Sequence, residues 1–143
     1  MSSIVEFFVA PDDASAALAL RTGPRRAFES LSFGNFDADE AVVEWECLLA
    51  HGSFEELVEA GEPRSVAQDD SGCVVFALSP RLSAALAEAD HSRLQNVAVA
   101  WSLQRAEDGE VIDTEIARVI LGDLAALVST ARRRGQDVYC WVA

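Results

Sequence analysis

Four side chains able to ligate a metal or move a proton, Glu40, Glu44, Cys47 and His51, lie at spacings of four, three and four residues in the stretch GNFDADEAVVEWECLLAH. At about 100° per residue they fall on one ridge of an α-helix. Cys, His and carboxylate are zinc-type ligands, and adjacent helical turns can present two of them to one ion. One helix seldom supplies a whole coordination shell, and the other histidine, His91, stands far off in the sequence. A metal site or small metal-dependent hydrolase built on Glu44, Cys47 and His51 is therefore the sharper reading of this ridge. A solvated acidic face with an incidental Cys and His is the plainer one. On the opposite side, Trp45 shares a face with Ala38, Ala41, Val42, Leu48 and Leu49, the expected core face. Val43 beside Cys47 places two apolar positions among the acids. That pattern points to contact, so Glu40, Val43, Glu44, Cys47 and His51 are read as a partner-binding face before an active site.

Other chemistry is thinly signalled. Thiol catalysis needs a thiolate with a base and an orienting group, and the carboxylates around Cys47 work against the thiolate. Cys73 and Cys140 sit in apolar runs and read as inert. The chain has no lysine, since all 11 basic residues are Arg, which excludes a Schiff-base or phosphate-loop lysine. There is no GxSxG, HExxH or GxGxxG pattern and no cofactor fingerprint. Tyr139 and Trp141 share one strand face and are a candidate wall for a small-ligand pocket, with core packing the commoner fate of such pairs. Arg132, Arg133 and Arg134 read as cations placed at a helix C-terminus.

The charge is strong and uneven. The net charge is -13 with a pI near 4.4, a sign that disfavours nucleic acid and anionic membranes. Between Asp37 and Glu62 there are nine acids and no Arg, while the remainder holds 15 acids and 11 Arg. The excess is thus local to the segment that carries the ridge. Three widely spaced cysteines, an odd number, fit reduced thiols and a cytoplasmic setting. No apolar run reaches membrane-spanning length, and the start, MSSIVEFFVAPDDAS, lacks a basic leader region.

The elements that must position these groups follow from periodicity. Ser3 to Val9 alternates as a strand, with Val5, Phe7 and Val9 on one side. A short Ala/Leu helix follows Pro11-Asp12-Asp13 and stops at Thr22-Gly23-Pro24, and Arg26 to Phe33 is a second strand of poor pattern. Asp37 with Glu40, and Ser53 with Glu56, fit capping boxes that open two helices, closed by Gly52 and by Gly61 with Pro63. Gln68 to Gly72 is a polar turn. Cys73 to Leu78 is apolar on both faces, as a covered central strand requires. Ser79-Pro80 opens a helix bearing Leu82 and Leu86, and Asp90 opens one with the stripe Leu94, Val97, Ala98, Trp101. Asp113 caps the longest helix, whose stripe runs from Ile116 to Ala131 and whose C′ residue is Gly135. Asp137 to Val142 is a closing strand. One α+β domain over residues 1–143 is expected, with a small sheet of three or four strands, the first and last of them sharing it, and helices packed on it.

The segments VVFALSPRLSAALAEADHSRLQNVAVAW and ILGDLAALVSTARRRGQDVYCWVA resemble the YfbM-like family of small uncharacterised bacterial proteins. FDADEAVVEWECLLAHG is similar to that family's acidic-then-Trp helix. Val111-Ile112-Asp113 stands where the family often has a Tyr-Pro pair before the long helix. The resemblance implies an α+β fold and no established activity.

The function expected from these residues is a non-enzymatic interaction or regulatory domain whose acidic helix meets a basic protein partner. An immunity- or antitoxin-like role is one concrete form, since acidic proteins mask basic nucleases. Homo-oligomerisation, with Arg132 to Arg134 of one copy against the acidic ridge of another, is a further form. The hydrolase at Glu44, Cys47 and His51 and the ligand binder at Tyr139 and Trp141 are the alternatives.

Overall fold

The computed structural model describes residues 4–24, 27–34 and 36–143. Ser3 and Arg26, at the starts of the first two expected strands, lie outside the described residues, as does Asn35. Five strands form one antiparallel sheet: β1 (Val5–Ala10), β2 (Ser30–Phe33), β3 (Arg64–Gln68), β4 (Val74–Ala77) and β5 (Asp137–Val142), in the order β2-β1-β5-β4-β3. The first and last strands are neighbours, with Val5 opposite Val142 and Phe8 opposite Tyr139.

Alternation assigns the two faces. Val5, Phe7 and Val9 join Val138, Cys140 and Phe76 in the larger core. Phe8, Ala10, Val75, Ala77, Tyr139 and Trp141 form a smaller core on the other side. Four helices lie over the larger core: α2 (Ala38–Ala50), α4 (Pro80–Glu88), α5 (His91–Glu107) and α6 (Thr114–Arg133). The smaller core is closed by α1 (Asp13–Ala17) and the segment after it, through Ala16, Ala19, Leu20 and Phe28. The short α3 (Phe54–Glu59) packs on α2.

The sheet exceeds the expected three or four strands by β3. Its sequence, RSVAQ, has no apolar run, because it is an edge strand with only Val66 and Ala67 against the smaller core. A register shift between Ser65 and Ala67 further blurs its alternation. The expected polar turn joins β3 to β4, with the Asp69 carboxylate accepting from the backbone N–H groups of Ser71 and Cys73.

Each helix from α1 to α6 starts directly after its expected capping residue, but two of the caps make no side-chain bond. Asp12, Ser79, Asp90 and Asp113 each accept a backbone N–H with the side chain, at 2.8–3.0 Å. Neither Asp37 nor Ser53 makes a side-chain cap bond, so the two expected capping boxes do not close. Glu40 instead turns towards Arg105, 3.6 Å away. At the end of α2 it is His51, not Gly52, that takes the left-handed conformation, with φ 57°.

The core predicts a sharp contrast in stability. Leu124, fully buried on α6, changed to Ala should lose about 2–5 kcal/mol in urea unfolding. Leu18→Ala, at a site 77% exposed, should stay within about 0.5 kcal/mol of the parent.

Candidate acidic groove around Arg105

Helix α2 is buried on almost every side. Alongside the expected Ala38, Ala41, Val42, Trp45 and Leu49, the residues Val43, Glu44 and Glu46 are buried. The cause is its position, packed at once against α3, α4 and α5. Trp45 meets Trp101 of α5 edge-on with ring centroids 5.1 Å apart, and Phe36 lies against both rings. Such crossed rings set the electropositive edge of one against the face of the other.

The ring contact aligns the polar groups beside it. Trp101 donates its indole N–H to Oε1 of Glu44 at 3.2 Å. One turn on, Arg105 donates to Oε2 of Glu44 at 2.9 Å. The same guanidinium reaches Asp108 at 2.7 Å and Glu110 at 3.1 Å, both in the turn that Gly109 (φ 85°) folds back beneath it. With Glu40, four carboxylates surround one guanidinium that is 5% exposed. Burial raises the Glu44 pKa above the usual carboxylate range, and Glu40 and Asp108 add to this. The Trp101 bond and Arg105 oppose the shift without cancelling it. Burial works against the Arg105 charge, but Glu44 and Glu40 outweigh it and the guanidinium holds its proton more firmly than usual. A second buried glutamate, Glu46, accepts from the Ser79 hydroxyl at the start of α4.

Above this pair opens a groove of about 340 Å³ lined by Glu40, Glu44, Cys47, Phe54, Gln104, Arg105, Glu107 and Asp108. A second groove of about 370 Å³ shares Glu40 and Phe54 and is bounded by Asp37, Asp39, Val43, Val58 and Glu62. Phe54 and Val58 are exposed between them. The surface is acidic with two apolar side chains at its centre.

The five ridge residues are thus split. Glu40, Glu44 and Cys47 border the same groove, Val43 is core beneath its neighbour, and His51 is exposed at the helix end and borders neither. The ridge is wet only in part: α5 covers Glu44, while the Glu40 side chain is 41% exposed and His51 is exposed. Among the described residues, no group of three or more His, Cys, Asp and Glu side chains is disposed to hold a metal ion. Glu44, Cys47 and His51 do not converge, and both Glu44 oxygens are engaged by α5. The Cys47 thiol pKa is raised by burial and then by Glu46 and Glu44, which leaves it a poor nucleophile.

Tyr139 and Trp141 lie in the smaller core, 1% and 8% exposed. Tyr139 stacks on Phe8 and donates its hydroxyl to Asp13 at 2.8 Å. Burial and that bond push its pKa up. Trp141 donates to the Leu20 carbonyl and lies against Gly23, where a Cβ would come within 3.2 Å of the ring. The two rings pack against β1 and the segment after α1, and Tyr139 also borders a cleft of about 130 Å³ with Glu62, Arg64 and Asp137.

Arg105 was not singled out by the sequence pattern. The signal is there in hindsight: it stands four residues beyond Trp101, where the stripe Leu94, Val97, Ala98, Trp101 would place its next core residue. Comparison of the chain with family models, with characterised proteins and with solved structures finds no match to any of them. Among the described residues no helix is long and apolar enough to cross a membrane.

Removing the guanidinium should be costly. Arg105→Ala leaves Glu44 buried without its cation and should lower stability by about 3–5 kcal/mol near neutral pH. Because the folded Glu44 pKa is raised, the folded state binds the extra proton. Its contribution is full below the ordinary glutamate pKa and is lost as pH rises through the raised value. Glu44→Gln should therefore gain on the parent as pH rises through that window, as read by urea unfolding at stepped pH. A difference that is flat with pH would contradict the raised value.

Proposed function

We propose that this chain is a protein-interaction domain whose acidic grooves beside α2 and α3 receive a basic segment of a protein partner. The observation that carries this reading is the surplus around Arg105: four carboxylates on one guanidinium, opening onto a surface with Phe54 and Val58 exposed between acids. A guanidinium or ammonium entering there meets unneutralised carboxylates, and its aliphatic stem meets an aromatic ring. The segment from Asp37 to Glu62, with nine acids and no Arg, supplies most of that field. Masking of a basic nuclease, as an immunity protein or antitoxin does, is one form of the activity. The cysteines Cys47, Cys73 and Cys140 are all unpaired, which supports a reducing, cytoplasmic setting. The likeness to the YfbM-like family adds a fold expectation and no activity.

The test separates a site from diffuse charge. An arginine-rich peptide is titrated by calorimetry at low and high ionic strength. Glu62→Gln with Glu107→Gln, both in the grooves, should weaken binding about tenfold. Asp70→Asn with Glu88→Gln removes the same charge elsewhere and should change it less than about twofold. Equal losses from the two double variants would sink the groove as the binding site.

A further inference from the structure

A second surface, away from the acidic grooves, points to a different partner. Helix α6 buries one side on the sheet and its neighbours and leaves the other open: Ile116, Val119, Asp123, Ala126 and Arg133 are exposed and Thr130 is half-buried. These six positions alternate in steps of three and four, the 3.5-residue period of a helix–helix seam. Ile116 and Val119 are each 57% exposed. Mid-helix glycine lowers helix stability, yet Gly122 sits in the middle of α6, and beyond its own helical backbone and chain neighbours no atom of the described residues lies within 4 Å of where its Cβ would be. No contact among the described residues calls for a glycine there, and the open site leaves room for another backbone to come close.

The charges identify that backbone. The chain carries -13, so two copies repel across most orientations. Helix α6 is not acidic overall: Asp113, Glu115 and Asp123 stand against Arg118, Arg132, Arg133 and Arg134. Its first half carries the three acids with Arg118 and is net negative, and the three consecutive Arg hold its end. A parallel pair would set like against like, whereas an antiparallel pair sets each end against its opposite and also opposes the helix dipoles. Within the chain, Glu115 pairs with Arg118 and Arg134 with Glu29, while Arg132 and Arg133 form no ion pair among the described residues.

We propose that α6 packs antiparallel on α6 of a second copy of this chain, about a two-fold axis near Gly122 to Ala126. With Asp123 opposite the partner's Ala126, Val119 meets the partner's Thr130, and Ile116 lies on the stem of the partner's Arg133. Glu115 then reaches the partner's Arg133 and Arg134. The contact is isologous and closes at two copies. It leaves both acidic grooves free, so it does not depend on the reading given above.

Sedimentation equilibrium across a concentration series tests it. The parent should approach twice 15.4 kDa. Val119→Glu and Ala126→Glu, both at exposed sites and so expected to keep the parent's thermal melt of the separated copies, should each weaken the dimer about tenfold or more. Arg133→Glu should weaken it too, and Glu115→Arg combined with Arg133→Glu should recover it. Glu62→Gln with Glu107→Gln should leave it unchanged. A monomer at every concentration overturns the proposal. So does a dimer indifferent to Val119→Glu and Ala126→Glu, or one lost through the groove variants instead.

Discussion

The buried pair of Glu44 and Arg105 constrains everything packed around it. A carboxylate with 9% exposure and a guanidinium with 5% are tolerable inside a protein only when each completes the other's hydrogen bonding. That requirement fixes the rotation of α2 and the position of α5 along it. The crossed Trp45 and Trp101 rings then have one arrangement available. The turn carrying Asp108 and Glu110 must close beneath the same guanidinium. Stability and surface charge are therefore coupled at one point: the group that holds α2 against α5 is also the floor of the acidic groove.

The sheet divides the molecule into unequal halves with separate tasks. Its larger face carries four helices and, through α2, the acidic grooves. Its smaller face is closed by aromatic side chains whose polar ends are all satisfied locally, Tyr139 by Asp13 and Trp141 by Leu20. A face that is sealed in this way contributes rigidity, and the surplus of negative charge lies on the other side. There four carboxylates share one guanidinium, and the one thiol nearby is disfavoured as an anion.

What could be read from the residues alone was what is encoded locally. The α6 stripe from Ile120 to Ala131, the Ser79-Pro80 start of α4, and the alternation of β1 and β5 each depend on neighbours in sequence and stand where the pattern places them. Ile116 and Val119, expected in that stripe, are instead exposed, because the buried face of α6 runs through Ala117 and Leu121. β3 escaped because an edge strand with one half-covered face needs no apolar run. The fate of Glu44 escaped for a different reason. Its partner lies 61 residues away, and a glutamate among glutamates looks solvated until a distant arginine is laid over it. The closed Tyr139 and Trp141 face was legible only as a pair of alternatives, since strand alternation says which rings share a side and not what covers them.

The neighbouring places of β1 and β5 have a consequence for how the chain assembles. Val5 lies opposite Val142, so nearly the whole intervening chain must be gathered before the middle of the sheet can pair. Closing so long a loop is entropically unfavourable and is offset only when both cores form around it. The β3–β4 hairpin and the helices from α4 to α6 rest on much shorter loops. They and the β1–β2 pair rest on local contacts, whereas the centre of the sheet carries the largest loop-closure cost of the fold.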